Sequence, residues 1–238
     1  INKIMKKEDL IILGAGENGI MAADIIEKNN IDYAKYKIIG YLDDDKNKIG
    51  NNIAGYPVLG PMSSWKECEK SFFTSPLVSS PKNNHLKKVI FDKLKIPNKL
   101  YINIISRDLK LPEDLISGNA NLIISGSQFQ SNIKIGSNIY ISNNVVICSN
   151  TKIDDYVNIS NSASIQGGVQ IEEGAYIGAN SSIIGYTKIG KWSIVGMGSV
   201  VLNEVEDFQI VAGNPARVIG VNEAAKEYFQ KNNTVNGK

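Results

Sequence analysis

The chain has 238 residues, 42% of them hydrophobic and 21% charged, which is enough for two modest domains, and its net charge is only +2. It has no basic block or aromatic-interleaved basic patch to suggest nucleic acid, and no apolar run long enough to span a membrane, so it reads as a cytoplasmic protein. Cys68 and Cys148 lie in segments of different character without a CxxC pair, which predicts free thiols, and the single histidine, His85, argues against a zinc site, so no metal is expected.

The opening residues are basic but lead straight into a strand and a glycine-rich turn instead of an apolar signal core, and Met5 reads as the natural start. Residues 9–13, DLIIL, read as a buried strand that breaks into Gly14-Ala15-Gly16-Glu17-Asn18-Gly19 before a helix ending near residue 29. Glycines in such a turn let backbone N–H groups and a helix N-terminus approach an anionic ligand, so the turn is a candidate phosphate cradle. A second strand, residues 36–42, ends in Asp43-Asp44-Asp45, where an acidic residue can accept hydrogen bonds from ribose hydroxyls. After Gly55-Tyr56-Pro57-Val58-Leu59-Gly60 come a helical stretch around 64–70, a strand near 72–79, a helix from 84 to 94 and a fourth strand at 100–105.

Alternating strands and helices predict a parallel sheet and a Rossmann-like domain over residues 1–106. That is half of a dinucleotide fold, too little for a hydride-transferring dehydrogenase with its second mononucleotide unit.

Residues 107–121 are irregular and are assigned to a linker and a first imperfect coil. From Ile123 the pattern changes to a period of six: Phe129, Ile135, Ile141, Ile147, Ile153, Ile159, Ile165, Ile171, Ile177, Ile183, Ile189, Val195 and Val201 follow without a break. Four residues after each stands a small or β-branched residue, from Ser127 to Val205. This is a solenoid signature: one short strand and turn per hexad, three hexads per triangular coil, and series residues stacked inside. Gly136, Gly178, Gly190 and Gly196 fall just after inward residues, where a side chain would crowd the bend. The solenoid is assigned to residues 107–221, and residues 222–238 to a polar helix that covers its open end and a disordered tail after Asn232.

The hexads resemble those of the hexapeptide-repeat acyltransferases, and that resemblance implies a left-handed parallel β-helix. Together with the glycine turn, Leu42-Asp43-Asp44 and Gly213-Asn214-Pro215-Ala216-Arg217, the chain resembles the sugar-nucleotide acetyltransferases of the sialic-acid O-acetyltransferase and bacillosamine N-acetyltransferase type. The resemblance implies a homotrimer with active sites between subunits, acetyl-CoA as co-substrate, and a nucleotide-linked sugar as acceptor in surface glycan biosynthesis. Carried over by position, Gly14, Gly16, Asn18, Gly19, Asp43 and Asp44 are the nucleotide-sugar site. Asn158, Gly167, Gly185, Gly196, Gly213 and Arg217 are the coenzyme A contacts.

Gly167, eighteen residues after Ser149, is the candidate oxyanion donor. Relatives carry a histidine base at the position of Ser149, but this chain reads Ile147-Cys148-Ser149-Asn150-Thr151, and a second expected histidine is Asn158. Ser149 and Asn150 therefore mark the catalytic corner. Either the acceptor amine arrives neutral, or Asp154 or Asp155 takes its proton. N-acetylation is favoured because a hydroxyl needs deprotonation to attack. O-acetylation and a catalytically silent sugar-nucleotide-binding scaffold are the alternatives.

Overall fold

A computed structural model describes residues 7–32, 35–77 and 80–235. Met5, Val78 and Ser79 lie outside the described residues, as does the tail beyond Val235. The first domain is a five-stranded sheet in the order β3-β4-β2-β1-β5, built from β1 (Glu8–Leu13), β2 (Tyr36–Leu42), β3 (Asn52–Ile53), β4 (Tyr56–Gly60) and β5 (Phe72–Thr74). All pairings are parallel except the hairpin of β3 with β4.

Leu10, Ile11, Ile12 and Leu13 have no exposed surface, as a central parallel strand covered on both faces requires. Ala23 and Ile26 of α1 (Glu17–Asp32) pack with Leu10 and Ile12. Trp65, Phe73 and Leu94, the last from α2 (His85–Leu94), pack with Ile11 and Leu13 on the other face.

Two expected elements differ. The stretch expected as a helix over 64–70 is a 3₁₀ segment, Met62–Cys68, entered from Pro61, whose carbonyl accepts both the N–H and the hydroxyl of Ser64. The fourth strand is divided between the domains: Tyr101 bridges Phe73 of the first sheet, whereas β6 (Ile104–Ile105) pairs with Leu122–Ile123 of the solenoid.

From there two-residue strands stack in parallel at an interval of eighteen residues, with Lys134 opposite Lys152, Tyr140 opposite Asn158 and Val146 opposite Ser164. They form the three sides of a prism. Apart from the half-buried Phe129, the hexad residues from Ile123 to Val201 are buried inside, together with the series running from Ser127 to Val205. Each aliphatic side chain so buried contributes roughly 1.5–3 kcal/mol.

The left-handed bend falls two residues later than the glycines singled out in the sequence. The third residue after each inward side chain has positive φ, for example Gly126 at 78°, Asn132 at 55°, Asn150 at 63° and Gly198 at 68°. Gly178 and Gly190 answer to crowding instead: a Cβ would approach Met197 N and Asp207 N at 2.5 Å.

The sides differ in what they present outward. One bears Leu122, Tyr140, Asn158, Tyr176 and Ile194, and its Leu122 and Tyr140 pack into the first domain's core with Ile104 and Ile124. The second bears Ile116, Lys134, Lys152, Gln170 and Lys188, and the third the uncharged Gln128, Val146, Ser164, Ser182 and Val200.

The hairpin of Gln209–Gly213 with Ala216–Val221 extends the first side, and α3 (Glu223–Val235) follows. The expected C-terminal helix is thus present and runs past Asn232. Its buried contacts lie along one corner of the prism, where Phe229 stacks on Trp192 with centroids 4.8 Å apart and Tyr228 lies 5.4 Å from the ring of His85.

Asn84, at the start of α2, joins the two domains at that corner. It is 1% exposed, donates to Tyr156 O at 3.0 Å and Gly174 O at 2.8 Å, and accepts from Asn158 Nδ2 at 2.5 Å. Asn84→Ala leaves these groups buried without partners, so a loss of roughly 1–3 kcal/mol is expected in denaturant unfolding. An unchanged midpoint would show that the domains are held by the apolar contacts alone.

Candidate active site

The eighteen-residue register aligns one column of turns along the corner between the lysine-bearing and uncharged sides. Ser131, Ser149, Gly167, Gly185 and Asn203 occupy equivalent positions on successive coils. With strands spaced about 4.8 Å apart, Ser149 to Asn203 spans about 14 Å. Gly167 O accepts the N–H of Tyr186 at 2.9 Å and Ser149 O that of Gly168 at 3.0 Å. Among the described residues no acceptor pairs the Gly167 N–H, which is therefore available to a ligand oxygen. A Cβ on Gly167 would lie 3.2 Å from Ser149 O, and one on Gly185 3.0 Å from Gly167 O, so glycine keeps this stretch of backbone open.

Below Gly167 the corner is polar. Gln130 Oε1 accepts the Ser149 N–H at 3.0 Å and the Ser149 hydroxyl at 3.2 Å, and Ser131 Oγ is 3.3 Å from Ser149 Oγ. Asn132 Nδ2 donates to Asn150 Oδ1 at 2.7 Å, and Asn132 N–H donates to Asp114 at 2.7 Å. The Cys148 thiol, also half-buried here and free, is 4.0 Å from Gln166 Oε1.

At the other end Arg217 is exposed on the rim of a cavity of about 280 Å³ that Leu202, Asn203, Glu204 and Val218 also line. Gly213, with φ of 103°, turns the hairpin that carries Arg217, and Gly196 donates to Val211 O of the same hairpin at 2.7 Å.

Asp154 and Asp155 are not on this corner. They stand around the next one, where Asp154 pairs with Lys152 at 2.8 Å and Asp155 accepts the Ser137 N–H at 2.7 Å, beside a charged cavity of about 400 Å³. Asn158 is 1% exposed and bound to Asn84, and so belongs to the domain interface.

In the first domain Gly14, Gly16, Asn18 and Gly19 line a cavity of about 260 Å³ with Pro76 and Leu77. A Cβ on Gly19 would collide with Gly14 O, so only glycine lets α1 approach the turn this closely. Neither aspartate lines this cavity, and Asp43 braces the turn from behind. Asp43 Oδ2 accepts the Ala15 N–H at 2.7 Å and the Lys48 ammonium at 3.0 Å, and Oδ1 accepts the Asp45 N–H at 2.8 Å. Asp44 accepts the Met62 N–H at 2.8 Å. Burial pushes the Asp43 carboxyl up, but the N–H groups of Asp45 and Ala15 and the Lys48 ammonium outweigh it and hold the carboxyl below the usual range.

Residues 9–94 match the PglD N-terminal domain, and residues 168–203 match the bacterial transferase hexapeptide (six repeats). The first match falls on the first domain and the second on the later coils of the solenoid. The resemblance seen in the glycine turn and the hexads is borne out.

Among solved structures, this chain is similar to the acetyltransferase domain of PglB from Neisseria gonorrhoeae FA1090 in complex with acetyl coenzyme A. The TM-score is 0.75 at 21% identity, over 90% of this chain and 100% of that one. A variant of perosamine N-acetyltransferase from Caulobacter crescentus, in complex with CoA and GDP-perosamine, gives 0.75 at 19% identity over 91% and 98%. WeeI from Acinetobacter baumannii AYE gives 0.74 at 24% over 90% and 100%. These likenesses establish the shared fold. A serine acetyltransferase from Haemophilus influenzae is 41% identical over 49 residues, which is 21% of this chain and 18% of that protein's length.

Sequence reasoning passed over Gln130, Ser131 and Asn132, which meet Ser149 and Asn150 only through the eighteen-residue register. It also passed over Tyr186, an 85%-exposed ring over Gly168. The legible signal was the Asn and Gly bias three residues after each inward side chain.

Because Asp43 titrates lower in the folded chain than its unfolded value of about 3.9, its contribution to stability is complete above that pH and is lost as pH falls through the folded value. Asp43→Asn is expected to flatten the decline of the unfolding midpoint below about pH 4. A variant whose decline matches the wild type would remove Asp43 from the acid response.

Proposed function

We propose that this chain transfers the acetyl group of acetyl-CoA to the amino group of a nucleotide-linked sugar, without a histidine base. The observation that carries the reading is the corner column itself. A free Gly167 N–H stands one coil above Ser149, the glycines keep the backbone open to a ligand, and Arg217 lines a cavity with Asn203, whose turn lies about 14 Å from Ser149 along the same axis. The solved structures of the same fold include ones with acetyl-CoA or with CoA and GDP-perosamine bound, which supports the choice of both substrates.

Acetyl-CoA supplies an activated thioester. In this reading Gly167 N–H donates to the thioester carbonyl oxygen, and its bond strengthens as negative charge gathers there, commonly by roughly 3 kcal/mol per donor. The backbone at Gly185 and Asn203 flanks the pantetheine arm, and the Arg217 guanidinium pairs with a phosphate of the cofactor. The first-domain glycine turn at Gly14, Gly16, Asn18 and Gly19 holds the sugar nucleotide, with N–H groups and the start of α1 facing its phosphates. Asp43 shapes that turn through the Ala15 N–H.

Among the described residues no carboxylate or imidazole is bonded to Ser149. Asp114 and Glu204 mark the two ends of the column, and Asp154 and Asp155 are around another corner. A neutral amine attacks without prior deprotonation and loses its proton to solvent, whereas a hydroxyl does not. The uncharged side of the prism, adjoining this corner, is the surface through which three copies would pack and enclose the sites.

Thiol release from acetyl-CoA with a panel of nucleotide-linked amino sugars tests the reading. Log kcat/KM is expected to rise with pH at unit slope until the acceptor amine itself is neutral, then to level. Ser149→His is expected to lift the neutral-pH limb. Turnover of hydroxyl acceptors with none of any amine would overturn it. Sedimentation of the purified chain is expected to give three times the chain mass, and a monomer would remove the shared-site arrangement.

A further inference from the structure

We infer that Gln130 is a positioning residue for Ser149, setting that hydroxyl as a hydrogen-bond acceptor for an N–H of the attacking amine; the inference rests on the proposed N-acetyl transfer. The Gln130 amide contacts two donors of one residue, the Ser149 N–H at 3.0 Å and the Ser149 hydroxyl at 3.2 Å. A backbone N–H can only donate, so the atom facing it must be Oε1, which settles the amide's orientation. The hydroxyl has a single proton, and Gln130 takes it.

Ser131 Oγ, 3.3 Å away, then donates to Ser149 Oγ, which keeps one lone pair for a ligand. Ser149 thus meets a ligand as an acceptor with no proton of its own to offer.

One coil along the axis, the unpaired Gly167 N–H is a donor with no acceptor. The two groups are complementary to the two ends of the reacting pair. Gly167 takes the carbonyl oxygen, and Ser149 takes one N–H of the amine, so that the nitrogen lone pair is aimed at the carbonyl carbon. The C–N bond forms, the C–S bond breaks, and the extra proton on nitrogen passes through water to the departing sulfur. No protein group gains or loses a proton. The neighbouring Asn132–Asn150 amide bond at 2.7 Å, anchored by Asp114, holds the adjacent backbone turn in the same register.

The pair Gln130 and Ser149 should therefore act as one unit. In the full-length protein with acetyl-CoA and an amino-sugar nucleotide, Gln130→Leu and Ser149→Ala are each expected to lower kcat/KM for the amine about tenfold. The double variant should lose no more than either single one. KM for acetyl-CoA and the thermal midpoint are expected to stay near wild type, and Gln130→Glu, which keeps an acceptor oxygen in place, should recover most of the rate.

Independent losses that multiply in the double variant, or a Gln130→Leu protein with wild-type kcat/KM, would overturn the inference while leaving N-acetylation standing. A wild-type protein that acetylates no amine overturns the proposed function and this inference with it.

Discussion

Parallel pairing at an interval of eighteen residues is the constraint on which the rest of this structure depends. Once Ile141 lies over Ile123 and Ile159 over Ile141, every corner residue is stacked on its equivalents above and below. Side chains distant in sequence then become neighbours about 4.8 Å apart. The interior is a row of aliphatics with small residues between them, each coil burying only its neighbours' surfaces, so stability accumulates coil by coil. The corners are made by a left-handed residue in each hexad, at a cost of roughly 1–2 kcal/mol wherever that residue is neither glycine nor asparagine.

Four aromatic residues accept that cost: Tyr156, Tyr186, Trp192 and Phe208, with φ of 62°, 60°, 55° and 63°. Two of them show what offsets it. Tyr156 and Trp192 are 9% and 3% exposed and stack at 6.5 Å across the coil occupied by Gly174, whose missing side chain leaves room for the indole. Phe91 of the first domain and Phe229 of α3 close on this pair, so the same column that turns the solenoid also holds both flanking elements. Asn84 completes the joint with bonds to backbone carbonyls that the turns leave unpaired. The first domain is thereby held against a defined stretch of the solenoid.

The corner at Ser149 uses the same scaffold for a different end. Its column carries hydroxyls and amides at one end, bare glycine backbone in the middle and an arginine at the other, an order suited to a long ligand with a reactive head and an anionic tail. The charged groups that sequence spacing suggested as bases are held elsewhere by Lys152 and by the Ser137 N–H. What remains at Ser149 is a network of neutral hydrogen bonds, which can orient a nucleophile but cannot ionise one.

The fold was legible in the sequence because its cause is local and periodic. An aliphatic residue every sixth position has no other way to be buried, and the Asp9–Leu13 strand with its glycine turn specifies a strand-to-helix entry by sterics alone. The small elements were less legible. The 3₁₀ segment at Met62–Cys68 and the division of residues 101–105 between two sheets depend on which neighbour captures each backbone group. The roles of particular polar residues lay beyond local pattern altogether. Asp43 sits where a ribose-binding acid would, yet its oxygens are taken by the Ala15 and Asp45 N–H groups and the Lys48 ammonium that the fold brings in. Asn158 has the spacing of a ligand residue and is sealed beneath Asn84. Gln130 has no motif of its own and reaches Ser149 across nineteen residues of chain. Sequence by itself determined which residues turn inward and that the chain bends once per hexad, since burial and backbone sterics act within a hexad. Which polar side chains are free to meet a ligand was decided only by the tertiary structure, because a hydrogen-bonding group is spoken for by whatever the fold sets beside it.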